Sequence, residues 1–286
     1  MKAYFFLVLL LINLNLYSQS IRVVDSGSKS SLSYALIIFN KDNTGQYTDQ
    51  DGIAILDPKI SNDTEITVQM LGYQDLKTTI GNLRDTIFLI PNTYELPAII
   101  VKNKKSTIIG FLKENSKKEI LIQYSEFNPI RVAVHVNNNL KKQSIVNKIL
   151  FRYNVPNSNI RYVVRPQIYA VGADKRPSNA LLSKSETFII SGKNILEFDC
   201  SYEGMIFPAN GVFVALEVLE VVDRNNNKIR NTNDKYPYVL TTEYKKTFAT
   251  HVSSVENLIW SVEAMGYRPM WNVSLNASFG LEVITD

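Results

Sequence analysis

The chain has 286 residues, 31 Lys+Arg against 27 Asp+Glu, and is 45% hydrophobic and 20% charged. That balance describes a globular chain of roughly one to three domains and excludes extended disorder. A net charge of +4 spread over this length does not mark a nucleic-acid binder, and one cysteine (Cys200) with two histidines excludes an intramolecular disulfide and a Cys/His zinc cluster.

In chain order, the first element is a targeting segment. Lys2 supplies a positive start, residues 5–12 form an unbroken apolar run, and polar residues begin at Asn13. Tyr17, Ser18, Gln19 and Ser20 offer a small residue to a signal peptidase, and cleavage is expected after Ser18. Residues 1–18 are therefore read as a signal peptide, against the alternative of a retained anchor. The apolar run is well short of the roughly 20 residues a span needs, and no later stretch approaches that length. The mature protein is expected to be exported to a periplasm or to the outer-membrane or cell surface, with no transmembrane span. Export without a cysteine pair also excludes a small cross-linked secreted domain.

Residues 19–101 read as short strands parted by turns. Residues 35–39 are an apolar strand, and residues 40–45 a polar loop. Thr48 to Gly52 predicts a tight hairpin turn before a strand over residues 53–56, since Asp-Gly tolerates positive φ. Ile66, Val68 and Met70 alternate with Thr67 and Gln69 as a half-buried strand, and residues 86–90 form another, stopped by Pro91. This spacing, with no helical period, predicts a small β-sandwich.

These residues carry a resemblance. The order Thr48-Asp49-Gln50-Asp51-Gly52, then Met70-Leu71-Gly72-Tyr73, then Thr86-Ile87-Phe88-Leu89, closing on Leu96-Pro97-Ala98-Ile99-Ile100-Val101, resembles the carboxypeptidase-regulatory-like domain. The resemblance implies a transthyretin-like seven-stranded sandwich over residues 19–101, about 80 residues of the chain. The opening strand lacks the glycine often found before it, and residues 26–33 are serine-rich where glycine and proline are usual. Members of that family are non-catalytic modules attached to zinc carboxypeptidases or to outer-membrane TonB-dependent receptors. A receptor barrel needs many more membrane strands than the remaining residues supply. A zinc peptidase needs two histidines and a glutamate within reach, and neither His135 nor His251 has such a neighbourhood.

Residues 102–118 form a basic joint, six lysines against the single acid Glu114, overlapping the first strand of the next domain at residues 107–112. It reads either as a contact for anionic polymer or headgroups or as a solvated linker and hairpin. Residues 107–286 then predict a second all-β domain of eight or more strands, jelly-roll-like, and similar to uncharacterised domains that accompany the regulatory-like module. Its strands include residues 131–136, 144–153, 161–171, 186–191, a long run over 212–222 that is apolar on both faces near its start, and 271–284.

Few residue patterns carry chemistry. Asp223, Asn225 and Asn227, with Asp234 further on, have the rhythm of a calcium loop. Lys228 stands where that loop wants glycine, so the segment reads first as an Asn-rich hairpin; no cofactor beyond possible calcium is implied. Asp49 and Asp51 are explained by their turn. His135 sits mid-strand without a Ser nucleophile motif, and Cys200 follows an acid that opposes thiolate formation. Glu217 and Glu220, three apart on a strand, are expected on opposite faces and so form no glycosidase pair. Aromatics remain: Tyr236, Tyr238 and Trp271 are candidate ligand-binding residues, whereas Trp260 reads as core. The expectation is an exported, non-catalytic accessory, binding or assembly protein of the cell envelope, not an enzyme, whose partner is an envelope protein or a surface glycan. The alternatives are a carbohydrate-binding module using loop aromatics and a divergent hydrolase.

Overall fold

The computed structural model describes residues 19–92, 105–112, 119–120, 128–140, 142–229, 238–245, 250–262 and 273–285, and among them the chain is all-β apart from two 3-10 turns. The signal segment and the expected strand at 96–101 lie outside the described residues. Internal contacts divide the chain into two units between Asn92 and Thr93.

The first unit strings together β1 (Gln19–Asp25), β2 (Leu36–Phe39), β3 (Thr44–Tyr47), β4 (Ile53–Leu56), β5 (Glu65–Gln69), β6 (Leu76–Thr79) and β7 (Thr86–Leu89). They form a three-stranded sheet, β4-β1-β7, and a four-stranded sheet, β3-β2-β5-β6. Period-two alternation turns Ile21, Val23, Leu56, Ile87 and Leu89 of the first sheet inward to meet Ile37, Ile66 and Val68 of the second in one core. β1 pairs antiparallel with β4 and parallel with β7.

Two readings of this unit are corrected. The Thr48–Gly52 turn is not a hairpin: β3 pairs with β2 and β4 with β1, so the turn carries the chain from one sheet to the other. Of its Asp-Gly pair only Gly52 has positive φ, at 73°. A side chain at Gly52 would also meet the Val23 carbonyl oxygen at 2.9 Å. The loop over residues 40–45 ends early, because Asn43 takes the left-handed conformation (φ 51°) and lets Thr44 and Gly45 pair with β2 at the sheet edge.

The second unit contains β8 (Lys105–Gly110), β9 (Glu119–Ile120), β10 (Ile130–Val136), β11 (Ser144–Val155), β12 (Ile160–Val171), β13 (Pro177–Ala180) and β14 (Phe188–Ile190). It continues through β15 (Gly192–Asp199), β16 (Val212–Asp223), β17 (Tyr238–Lys245), β18 (Thr250–Ser254), β19 (Asn257–Val262), β20 (Val273–Ala277) and β21 (Phe279–Thr285). One antiparallel sheet runs β13-β12-β16-β10-β18-β19 with β14 also on β12; the other runs β20-β17-β11-β21-β8, with β15 on β11 and β9 on β17. Val132, Val134, Val214, Leu216 and Ile168 from the first sheet and Ile149, Phe151, Phe279 and Leu281 from the second are buried. Strand contacts of β10 and β16 with β21 bring these inner faces together. Phe151 and Phe279, opposite each other in register, pack edge to face with ring centroids 4.8 Å apart.

A β-bulge corrects the reading of the two glutamates. β16 pairs Val218 with Val164 but Glu220 with Val163, so Leu219 is an extra residue and alternation restarts after it. Arg165 stands opposite Glu217, and Val163 shares its face; Glu217 and Glu220 therefore lie on the same, outer, face.

Candidate functional site

The carboxylates singled out by their spacing are held by local structure. Asp49 accepts the N–H groups of Asp51 and Ile53, both at 2.9 Å, through one oxygen, and Thr48 Oγ1 donates to the Leu32 carbonyl and accepts the Ala35 N–H. These bonds brace the crossing between sheets. Tyr73 donates to Asp25 Oδ2 at 3.0 Å, while Asp25 Oδ1 accepts the N–H groups of Gly27 and Ser28. The Gly-Tyr pair thus ties β5's exit to the end of β1.

Asp223 plays the same part in the Asn-rich loop. Its carboxylate accepts the Asn225 and Asn227 N–H groups at 2.7 and 2.8 Å and the Asn227 amide at 3.0 Å. Asn227's amide first, then these N–H groups, holds the Asp223 carboxyl below the usual carboxylate range. Asn226 has φ 66°, and Val222 bridges to Lys228 across the turn. Lys228 reaches back to Glu220 at 2.7 Å. Asp234 lies outside the described residues, and among those described no group of His, Cys, Asp and Glu converges as a metal-binding set.

The outer face shared by Glu217 and Glu220 is a second, filled core. Arg165 donates to Glu217 Oε2 through Nε and Nη2, both at 2.6 Å, and Tyr169 donates to Oε1 at 2.7 Å. All three are buried. One row along, Ala133 and Ala215 pair in register, with Gln167 beside Ala215 and His251 beside Ala133. Over these two small residues Tyr169 and Trp260 meet edge to face, 5.6 Å between centroids. Their strands are four ladder steps apart, which at about 4.8 Å per step is roughly 19 Å in a flat sheet. The sheet therefore curls, and the rings close over the alanines. Arg131 lies 4.8 Å from the Trp260 ring centroid and donates to Ser253 Oγ and the Leu258 carbonyl. Trp260, at 8% exposure, is core, as its surroundings require. The amide oxygen of Gln167 is buried without a hydrogen-bond partner among the described residues.

Two reactive residue types are also placed. His135 stacks on Phe213 and contacts the Asn210 carbonyl through Nε2 at 3.0 Å. Cys200 is fully buried, and burial first, then Asp199, pushes its thiol up to about 12. Of the aromatic candidates, Tyr238 begins β17, whereas Tyr236 and Trp271 lie outside the described residues.

Among the described residues an open concavity lies elsewhere, on the outer face of the sheet β8-β21-β11-β15, a groove of about 360 Å³. Ile108 and Leu112 wall one side and Ile195 the other, above a floor of Leu150. Three charged residues, Arg152, Glu197 and Glu282, line it too, together with Ile109 and Gly110. Lys148 pairs with Glu197 at 3.0 Å, and Asn147 donates to Glu282 at 2.8 Å. Glycines narrow the backbone here: Gly110 (φ 107°) pairs with Gly280, and a Cβ on Gly280 would stand 2.4 Å from the Ile109 carbonyl oxygen. Sequence reading missed this site, because its residues come from strands up to 174 positions apart (Ile108 to Glu282). The local signals were Ile108 and Ile195, isoleucines on the wet faces of their strands, 60% and 41% exposed. Comparison of the chain with protein-family models, curated proteins and solved structures finds no match.

Proposed function

We propose that the protein is an exported, non-catalytic accessory protein of the cell envelope that binds another envelope component, a protein or a surface glycan. In this reading a carboxypeptidase-regulatory-like module is followed by a jelly-roll-like binding domain. The observation that carries the reading is the groove on the second unit. It is open, apolar in its walls and floor, and has charged groups in its lining, which is the usual form of a binding site. The disposition of the acids supports the same reading. Glu217 and Glu220 are committed to Arg165 and Lys228, and Asp49 and Asp223 to their own turns. The test mixes the mature protein with washed envelope fractions and, separately, with ester, glycoside and peptide substrates. Saturable association without turnover is expected. Turnover of any substrate class, or no association with any fraction, overturns the reading.

A further inference from the structure

The groove lies beside a strand whose far side, among the described residues, pairs with no other strand. Among the described residues β8 pairs with β21 alone and ends its sheet. The Phe111 N–H donates to the Phe279 carbonyl at 2.9 Å, which makes that pair a hydrogen-bonded one. Antiparallel alternation then points the main-chain groups of Ile109 and Thr107 toward β21 and those of Ile108 and Ser106 toward the free edge. Natural sheets guard such an edge with charge, proline or a bulge. After its first residue, Lys105, the strand has no charged residue and no proline, and it carries Thr107, Ile108 and Ile109, residues that favour strand pairing.

The flanks of the strand are of one sign. Lys105 opens the strand and is exposed, and in the sequence Lys104 comes immediately before it and Lys113 immediately after Leu112, within the stretch where six lysines face the single acid Glu114. A guest strand of matching chemistry has apolar residues alternating in its middle, to lie along Ile108 and the groove, and carboxylates at both ends.

We propose that β8 is an acceptor edge: an extended segment of a partner protein, apolar in the middle and acidic at its ends, adds to the sheet as a further strand and places an apolar side chain in the groove beside Ile108. This rests on the reading of the protein as a binding protein and names the class of its partner. Main-chain bonds to the outward groups of Ser106 and Ile108 provide the pairing, the groove selects the side chain, and the lysines select the charge.

The test uses the full mature protein and a synthetic peptide of alternating valine and threonine with acidic ends, beside the same peptide with basic ends. Calorimetry is expected to give saturable binding of the acidic peptide and on the order of tenfold weaker binding of the basic one. Ile108→Pro removes an outward N–H and leaves the ladder to β21 intact; Ile108→Lys adds a charge at the groove lip of a residue already exposed. Both are expected to weaken the acidic peptide on the order of tenfold while circular dichroism stays unchanged. Equal binding of the two peptides, or affinity unchanged in both variants, overturns the proposal. So does dextran sulfate, a polyanion without a peptide backbone, if it competes as well against Ile108→Pro as against the parent. Envelope association that persists undiminished in Ile108→Pro removes the strand-addition mechanism but leaves the binding reading standing, whereas loss of association in the parent protein removes the reading itself.

Discussion

Tyr73 holds its hydroxyl 3.0 Å from Asp25, a partially buried phenol against a carboxylate that also caps a turn. Burial first, then Asp25, pushes the phenol up to about 12, while the Ser28 N–H first, then Tyr73 and Gly27, holds the carboxyl below its usual range. The signs are opposite. A raised phenol pKa means stability present below about pH 10 and lost as pH climbs toward about 12; a lowered carboxyl pKa means stability present above about pH 4 and lost as pH falls below it. Tyr73→Phe is expected to be about 1 kcal/mol less stable near neutrality and to lose less than the parent between about pH 10 and 12. Urea midpoints measured across pH check this; parallel alkaline limbs in the two proteins would contradict it.

At the level of the element, the extra residue Leu219 decides which face Glu220 occupies. Deleting Leu219 turns a bulged strand into a regular one and leaves every other side chain on its present face. The expected penalty is that of one lost buried leucine, roughly 2–5 kcal/mol. Deleting Val214, inside the regular ladder, instead moves one side of the strand to the wrong face. Guanidinium unfolding should find the first variant cooperative and the second without a cooperative transition. The existence of β16 was legible in its run of Val and Leu, but its bulge was not. Every position from Val212 to Val222 is buried; both faces are apolar near the start, and strict alternation reads Glu217 and Glu220 as facing opposite sides, so the slip at Leu219 is not visible in the sequence. The edge strands β3 and β6 were equally hard to see. Thr44–Tyr47 and Leu76–Thr79 lack apolar alternation and are strands because β2 and β5 offer them partners. The turns were legible as turns, yet Asp49 could be assigned to a sheet crossing only once β3 and β4 had been given different neighbours.

For the whole molecule, the boundary between units predicts that the first stands alone. Its core, from Ile21 to Leu89, is built from its own strands. A fragment of residues 19–92 is expected to show β-sheet circular dichroism and one cooperative thermal transition of modest stability, as a domain of this size affords. A sloping, transition-free melt would contradict that. The all-β class and the strand-rich first unit were readable from turn spacing. The groove was not, because it is assembled from β8, β11, β15 and β21, and sequence distance hides what sheet register brings together.

One detail of the first unit bears on mechanics. Because β1 opens the unit and β7 closes it, and the two run parallel side by side from Arg22 beside Thr86 to Asp25 beside Leu89, the chain enters at one end of that sheet and leaves toward the other. Tension applied between those ends slides β1 against β7 along their length. The evenly spaced bonds of a parallel ladder then share the load together and do not open one after another like a zipper. A unit wired this way resists stretching as a tether, whatever it is tied to.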